Sequence, residues 1–207
     1  MRLSQDRILT SHVGSLPRPQ DLLDMLEAKE TGEPIDGADV TARISRAIDD
    51  AVATQVAAGV DIVNDGENSK TSYTLYVRDR LNGVGPKPPE KDLPKTAQHR
   101  DLMDHPGMVE RTARINQGMS WFDRAKPPAA IGPVSYGDTG PLETDLANLR
   151  AACDAHGIQE AFVNSASPGV LTKFVPDMHY GNEDAYIADL ADAMACLLYT
   201  SPSPRDA

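Results

Sequence analysis

The stretch from Asp39 to Glu67 constrains the fold most. Val40, Ile44, Ile48, Val52 and Val56 recur every four residues, while Arg43, Arg46, Asp49 and Asp50 fall off that stripe. Residues 39–58 are therefore predicted to form an amphipathic helix with one apolar face. Ala58-Gly59 ends it, because glycine reaches the left-handed conformation that closes a helix at little cost. Val60–Val63 then reads as a short buried strand and runs straight into Asn64, Asp65, Gly66 and Glu67. Helix, tight turn, strand and a polar strand end make up the repeating unit of a parallel α/β fold.

The unit recurs along the chain. Ile8–Val13 reads as a strand, followed by a helix over 20–30 that carries Leu22, Leu23, Met25 and Leu26. Helices are predicted over 72–82 and near 108–117. Residues 84–107, rich in Pro, Lys and Asp, read as an excursion without a core. Ala129–Val134 is a predicted strand, and the helix over 142–155 has Leu142, Leu146, Leu149 and Cys153 on one face. Glu160–Val163 is a further strand, and the polar series Asn164–Gly169 after it reads as a loop. The last helix, 184–195, is expected to bury Ile187, Leu190, Ala191 and Met194. Strands followed by small and polar residues fit a (β/α)8 barrel, which builds its sites at that end of its strands. A whole barrel takes roughly 250 residues, more than the 207 present. A doubly wound open sheet suits the length, although no GxGxxG or P-loop supports a nucleotide-binding version.

Charge narrows the partners. A net charge of −11 repels phosphate backbones and anionic lipid, so neither nucleic acid nor membrane is expected as a partner. No segment is apolar enough to span a bilayer, and the first twelve residues lack the apolar core of a secretory signal, so the expected location is the cytoplasm. Cys153 and Cys196 are too far apart in sequence for a CxxC pair, and Cys153 is expected to be a buried inert thiol. His99, His105, His156 and His179 have no metal-ligand spacing and read as surface residues.

The candidate site residues sit at strand ends. On the turn His12-Val13-Gly14-Ser15, Gly14 lets the backbone approach a ligand and Ser15 offers a hydroxyl and an N–H, two donors that suit a carboxylate. Arg18 adds positive charge. Glu67 either takes an ammonium or holds a proton, or else belongs to a helix N-terminus, where acids are favoured anyway. Tyr136, at the end of Gly132-Pro133-Val134-Ser135-Tyr136, either covers a flat ring or belongs to the core.

The segments SHVGSLPRP (Ser11–Pro19), AGVDIVNDGENSK (Ala58–Lys70), YVRDRLNG (Tyr76–Gly83), IGPVSY (Ile131–Tyr136) and NSASPG (Asn164–Gly169) occur in an order that resembles the cobalamin-independent methionine synthase barrel family. The likeness is greatest to its shorter single-domain relatives and covers about residues 6–195. It implies an incomplete (β/α)8 barrel, N-terminal part only. It also implies a zinc-dependent methyltransferase that moves a methyl group from a methylated folate, or another methyl donor, to the thiol of homocysteine. The turn Val13-Gly14-Ser15 would hold the amino acid's carboxylate, Glu67 would contact the same substrate, and Tyr136 would lie against the folate; His12 and Arg18 complete the substrate-binding set. No catalytic or metal residue is assigned, because the family's zinc ligands belong to the later half of the barrel. Two alternatives stand beside this reading: a thiol alkyltransferase acting on another thiol such as coenzyme M, and a non-catalytic binding module. CLLYTSPSPRDA (Cys196–Ala207) resembles translated sequencing-adapter read-through. Residues 1–195 are thus expected to be barrel and 196–207 a non-native or disordered tail, in a chain expected to be inactive as it stands.

Overall fold

The structure, a computed structural model, describes residues 3–86, 104–105, 107–108, 110–111, 114 and 127–200. In chain order it contains helices α1 (Gln20–Thr31) and α2 (Gly37–Ala57), strand β1 (Val63–Asn64), helix α3 (Tyr73–Arg78), strands β2 (Leu81–Pro86) and β3 (Pro128–Tyr136), helix α4 (Gly140–Ala155), strand β4 (Ala161–Phe162), and helices α5 (Pro168–Phe174) and α6 (Glu183–Thr200). Two units share them. The first takes its described core from Met1–Thr71 and Asp138–Ser165, the second from Ser72–Gly137 and Ala166–Leu197. The predicted helix near 108–117 and His99 lie largely or wholly outside the described residues.

In the first unit the four-residue stripe becomes the buried face of α2. Asp36 caps the helix by accepting from the Ala38 N–H at 2.7 Å, and Gly59 closes it at φ 79°. Ile48 and Val52 are fully buried against Val63 and against Leu149, Ala152 and Cys153 of α4. Leu22 and Leu26 of α1 pack on Ala47. β1 is flanked by two parallel partners: β4, in the register Val63↔Ala161 and Asn64↔Phe162, and Ser11, bridged to Ile62.

The expected strand Ile8–Val13 contracts to that single bridge, and Ile8 and Val13 are 83% and 70% exposed. Asp61 takes the place of a ladder. Its carboxylate accepts from the Thr10 N–H at 2.9 Å and the Thr10 hydroxyl at 3.0 Å, and it pairs with both ends of the Arg7 guanidinium. The Thr10 carbonyl in turn accepts from the N–H groups of Asp61 and Ile62, both at 3.1 Å. These bonds tie the segment at one point, and its neighbours bond locally instead of joining a ladder, the Leu9 N–H to the Ser4 hydroxyl at 3.1 Å. For the same reason the strand expected at Val60–Val63 starts late, at Val63.

The second unit departs further from the expected repeat. α3 stops at Arg78, and the chain becomes β2, where a helix end and a coreless excursion were expected. β2 pairs antiparallel with β3, Leu81 opposite Tyr136 and Pro86 opposite Pro128, with a bulge between Asn82 and Val84. Gly83 makes the bulge possible: it sits at φ 76°, and a Cβ there would lie 2.2 Å from the Pro133 carbonyl oxygen. β3 is thus a hairpin partner and not the strand of a parallel unit. Its parallel contact is the single bridge from Ala130 to Asp177. Asn164–Gly169, expected as a loop, leads into α5, because Ser167 caps that helix by accepting from the Val170 N–H at 3.3 Å. α6 buries Tyr186, Leu190 and Ala193, while Ile187 and Ala191 are exposed. Tyr186 takes the core position because its hydroxyl finds a partner there, the Val175 carbonyl at 2.8 Å, and its ring stacks on Tyr180; burial pushes its phenol well above the ordinary range. α6 also runs past Ala195 to Thr200, there being no Gly or Pro until Pro202. Among the described residues no helix is long and apolar enough to cross a membrane.

The Arg7–Asp61 pair predicts an acid response. Hydrogen bonding to Arg7, then to the Thr10 N–H, holds the Asp61 carboxyl well below the usual carboxylate range. A depressed carboxyl stabilises the fold above the unfolded value of about 3.9, and that contribution is lost as pH falls through it toward the lower folded value. Urea unfolding of the wild type from pH 7 to about pH 3 should show a fall in stability below about pH 4 that is shallower in Arg7→Ala and smaller at high salt.

Candidate functional site

Three segments of the first unit meet at the C-terminal ends of its parallel pairs: the turn His12–Ser15, the series Asn64–Lys70, and Asn164. Gln55, the polar residue on the buried face of α2, anchors them. Its side-chain amide donates to the Asn64 carbonyl at 2.8 Å and accepts from the Asn64 N–H at 3.1 Å. The Asn64 side chain then bridges outward, donating to the His12 carbonyl and accepting from the Gly66 N–H at 2.8 Å.

Below this, Asp65 and Lys70 form an ion pair at 3.1 Å, with side chains 0% and 2% exposed. The second oxygen of Asp65 accepts from the Glu67 N–H at 2.9 Å. The chain reverses on Gly66 and Glu67, at φ 60° and 58°. Glu67 alone among the described non-glycine residues has a positive φ, a conformation costing on the order of 1–2 kcal/mol. A side chain on Gly66 would meet the Asn68 amide at 2.9 Å and Leu16 at 3.1 Å.

Glu67 is the centre of the site. The residue is 4% exposed. One carboxylate oxygen accepts from the Ser15 hydroxyl at 2.5 Å and the other from the Asn164 amide at 3.2 Å. Arg18 does not point at that carboxylate: it donates to the backbone carbonyls of Glu67 at 2.8 Å and Lys70 at 2.6 Å. Burial lowers its pKa and the neighbouring Glu67 and Asp65 oppose the shift; a guanidinium so placed stays charged.

The structure thus gathers His12, Gly14, Ser15, Arg18 and Glu67 around one turn. The His12 ring bonds the Gly14 carbonyl at 3.0 Å. Val13 faces solvent, so the backbone is its contribution to the turn. Gly14 lies at φ 111° with open space where a Cβ would be, so glycine is required there by conformation and not by crowding. Among the described residues the N–H groups of Gly14 and Ser15 have no hydrogen-bond partner. Tyr136 belongs to the second unit, half-buried against that unit's core. Gln55, Asn64, Asp65, Lys70 and Asn164 were missing from the candidates. Gln55 interrupts an apolar face in the sequence and Asn164 stands two residues past a strand, but neither position by itself names a partner.

A carboxylate beside two open N–H donors suits a ligand that carries a cationic and an anionic group on one carbon. Metal chemistry has no equivalent support: among the described residues no group of three His, Cys, Asp or Glu side chains is placed to hold an ion. The described residues do not fit the zinc centre that the sequence resemblance implies. Cys153 lies in the apolar core, where burial pushes its thiol pKa up and disfavours the thiolate that metals bind. His156 is half-buried and bonded to Asp49 at 2.9 Å, not a free surface residue, whereas His105 and His179 are exposed.

No protein-family model matches the chain, and no curated protein does. Among solved structures it is similar to a B12-independent methionine synthase from Shewanella sp. W3-18-1 in complex with selenomethionine, at 22% identity and a TM-score of 0.63, over 92% of this chain and 47% of that one. It is also similar to a protein from Listeria monocytogenes assigned as a vitamin-B12-independent methionine synthase, at 17% identity and a TM-score of 0.58, over 93% of this chain and 49% of that one. The likeness is one of fold, and the chain spans about half the length of each structure.

The buried pair gives the prediction for this region. Lys70→Ala leaves Asp65 shielded from water without its cation, which typically costs about 3–5 kcal/mol. Chemical denaturation should show a loss of that order; a loss below about 1 kcal/mol would mean that the pair is hydrated in solution.

Proposed function

We propose that this chain carries the amino-acid-binding part of a methyltransferase of the B12-independent methionine synthase type, as an N-terminal part of a (β/α)8 barrel over residues 1–195. The observation that carries the proposal is the carboxylate of Glu67, held by Ser15 and Asn164 beside the open N–H groups of Gly14 and Ser15. The fold likeness supports it, since one of the similar structures is in complex with selenomethionine. In this reading the ligand is a homocysteine-like thiol or its methylated product. Its carboxylate takes the N–H groups of Gly14 and Ser15, and its ammonium takes Glu67. Arg18 holds the two carbonyls that fix the Glu67 turn, and His12 and Val13 shape the turn opposite. A methylated folate stands as the methyl donor in this reading, and Tyr136, which belongs to the second unit, is the residue the sequence resemblance sets against such a ring. A thiol without an amino-acid head group, such as coenzyme M, offers no ammonium to Glu67, which places that alternative second. Zinc activation of the thiol finds no donor set among the described residues, and binding is the part of the reaction these residues perform.

Calorimetric titration of the chain with L-selenomethionine, L-methionine, L-homocysteine and coenzyme M tests this. The three amino acids should bind and coenzyme M should not. Glu67→Gln, which keeps the shape and removes the charge, should weaken amino-acid binding at least about tenfold, a loss of the size expected for a hydrogen bond to a charged group. Absence of amino-acid binding, or equal affinity for coenzyme M, would overturn the proposal.

A further inference from the structure

Among the described residues the His12 ring is the one side chain bonded to the Gly14–Ser15 peptide group, at 3.0 Å from the Gly14 carbonyl oxygen. We infer that His12 is a positioning residue for carboxylate recognition: by donating to that carbonyl it holds the Ser15 N–H turned away from the ring and strengthens it as a donor to the ligand's carboxylate. The inference rests on the amino-acid site proposed above and concerns how its anion-binding half is held.

The bond fixes the state of the ring. A carbonyl oxygen only accepts, so the imidazole nitrogen that faces it, Nε2, carries a hydrogen. The neutral ring is then the Nε2–H tautomer, set by the hydrogen bond it makes. Peptide geometry carries the effect across to the donor. The Gly14–Ser15 peptide is planar and trans, so its C=O and N–H point in opposite directions. With the carbonyl turned onto the ring, the N–H faces the other way. A peptide group whose carbonyl accepts a hydrogen bond is polarised, and its N–H donates more strongly.

The rest of the turn does not fix this plane. The His12 carbonyl accepts from the Asn64 amide, the Ser15 hydroxyl bonds Glu67, and the Leu16 N–H donates to the Gly66 carbonyl at 3.0 Å. These bonds hold the chain before and after the Gly14–Ser15 peptide, and none of them touches the peptide itself. Gly14 lies at φ 111° with open space where a Cβ would be, so neither a side chain nor crowding resists rotation of the plane. Turned over, the peptide would present its carbonyl oxygen where the N–H stands, and that oxygen would repel a carboxylate. The His12 bond opposes this rotation.

The test compares L-methionine with 3-(methylthio)propylamine, which keeps the ammonium and the thioether and lacks the carboxylate. Affinities are measured by titration for the wild type, His12→Phe and His12→Gln. His12→Phe keeps a flat ring and removes the donor. It should weaken L-methionine about tenfold and leave the amine within about twofold, the expectation for one impaired bond to a charged group. His12→Gln, whose amide donates from a similar position, should recover most of the loss. Nitrogen NMR of the wild-type His12 ring, at a pH where the ring is neutral, should show the Nε2–H tautomer, and this measurement stands even if the phenylalanine variant folds poorly. Equal weakening of both ligands, unchanged L-methionine binding, no recovery in His12→Gln, or an Nδ1–H tautomer would overturn the inference while leaving the amino-acid site standing. A wild type that binds the amine as tightly as L-methionine would overturn the site and the inference together.

Discussion

Everything at the site hangs on the buried contact between Asp65 and Lys70. An ion pair shielded from water rarely repays the desolvation of its two charges, so its value here lies in geometry. Asp65 uses one oxygen on Lys70 and the other on the Glu67 N–H. That pins both ends of the tight reversal through Gly66 and Glu67. With the turn pinned, Glu67 keeps a left-handed backbone that a glutamate rarely adopts. Arg18 finishes the lock from outside by gathering the carbonyls of Glu67 and Lys70.

The second constraint is the parallel pairing around β1. Ser15 and Glu67 are 52 residues apart, and Glu67 and Asn164 are 97 apart. Parallel pairing delivers these distant segments to one end of the sheet, and α2 and α4 cover that sheet with Ile48, Val52 and Leu149. Gln55 joins the two levels, since one amide on the apolar face of a helix satisfies both backbone groups of the residue on which the turn begins. Packing and recognition therefore share residues, and a change at Gln55 or Lys70 would reach Glu67 without touching a ligand.

How far the sequence foretells this differs by region. The α2 stripe, the Gly59 stop and the polar end of β1 were legible, because periodicity and a glycine stop are local signals. Ser15 and Glu67 were legible as candidates through their places on strand ends. What was not legible depends on contacts distant in sequence. The Ile8–Val13 strand fails because Asp61 captures Thr10 and Arg7, a competition no local pattern reveals. β2 was hidden in a run of Asn, Gly and Pro whose strand character comes from its antiparallel partner. The face of α6 turned because a tyrosine hydroxyl found the Val175 carbonyl, so that Tyr186 displaced Ile187. Asn164 stood in a segment of plausible loop composition, and only the register of β4 gives it Glu67 as a partner.

The most direct test of the account is the position of the selenium atom in a crystal of this chain grown with L-selenomethionine, located by its anomalous signal with the amino-acid head group built around it. The account predicts the ammonium within hydrogen-bond distance of the Glu67 carboxylate and the ligand's carboxylate on the N–H groups of Gly14 and Ser15. Selenium found away from this turn, or a head group bound in the reverse sense with its carboxylate toward Glu67, would contradict it.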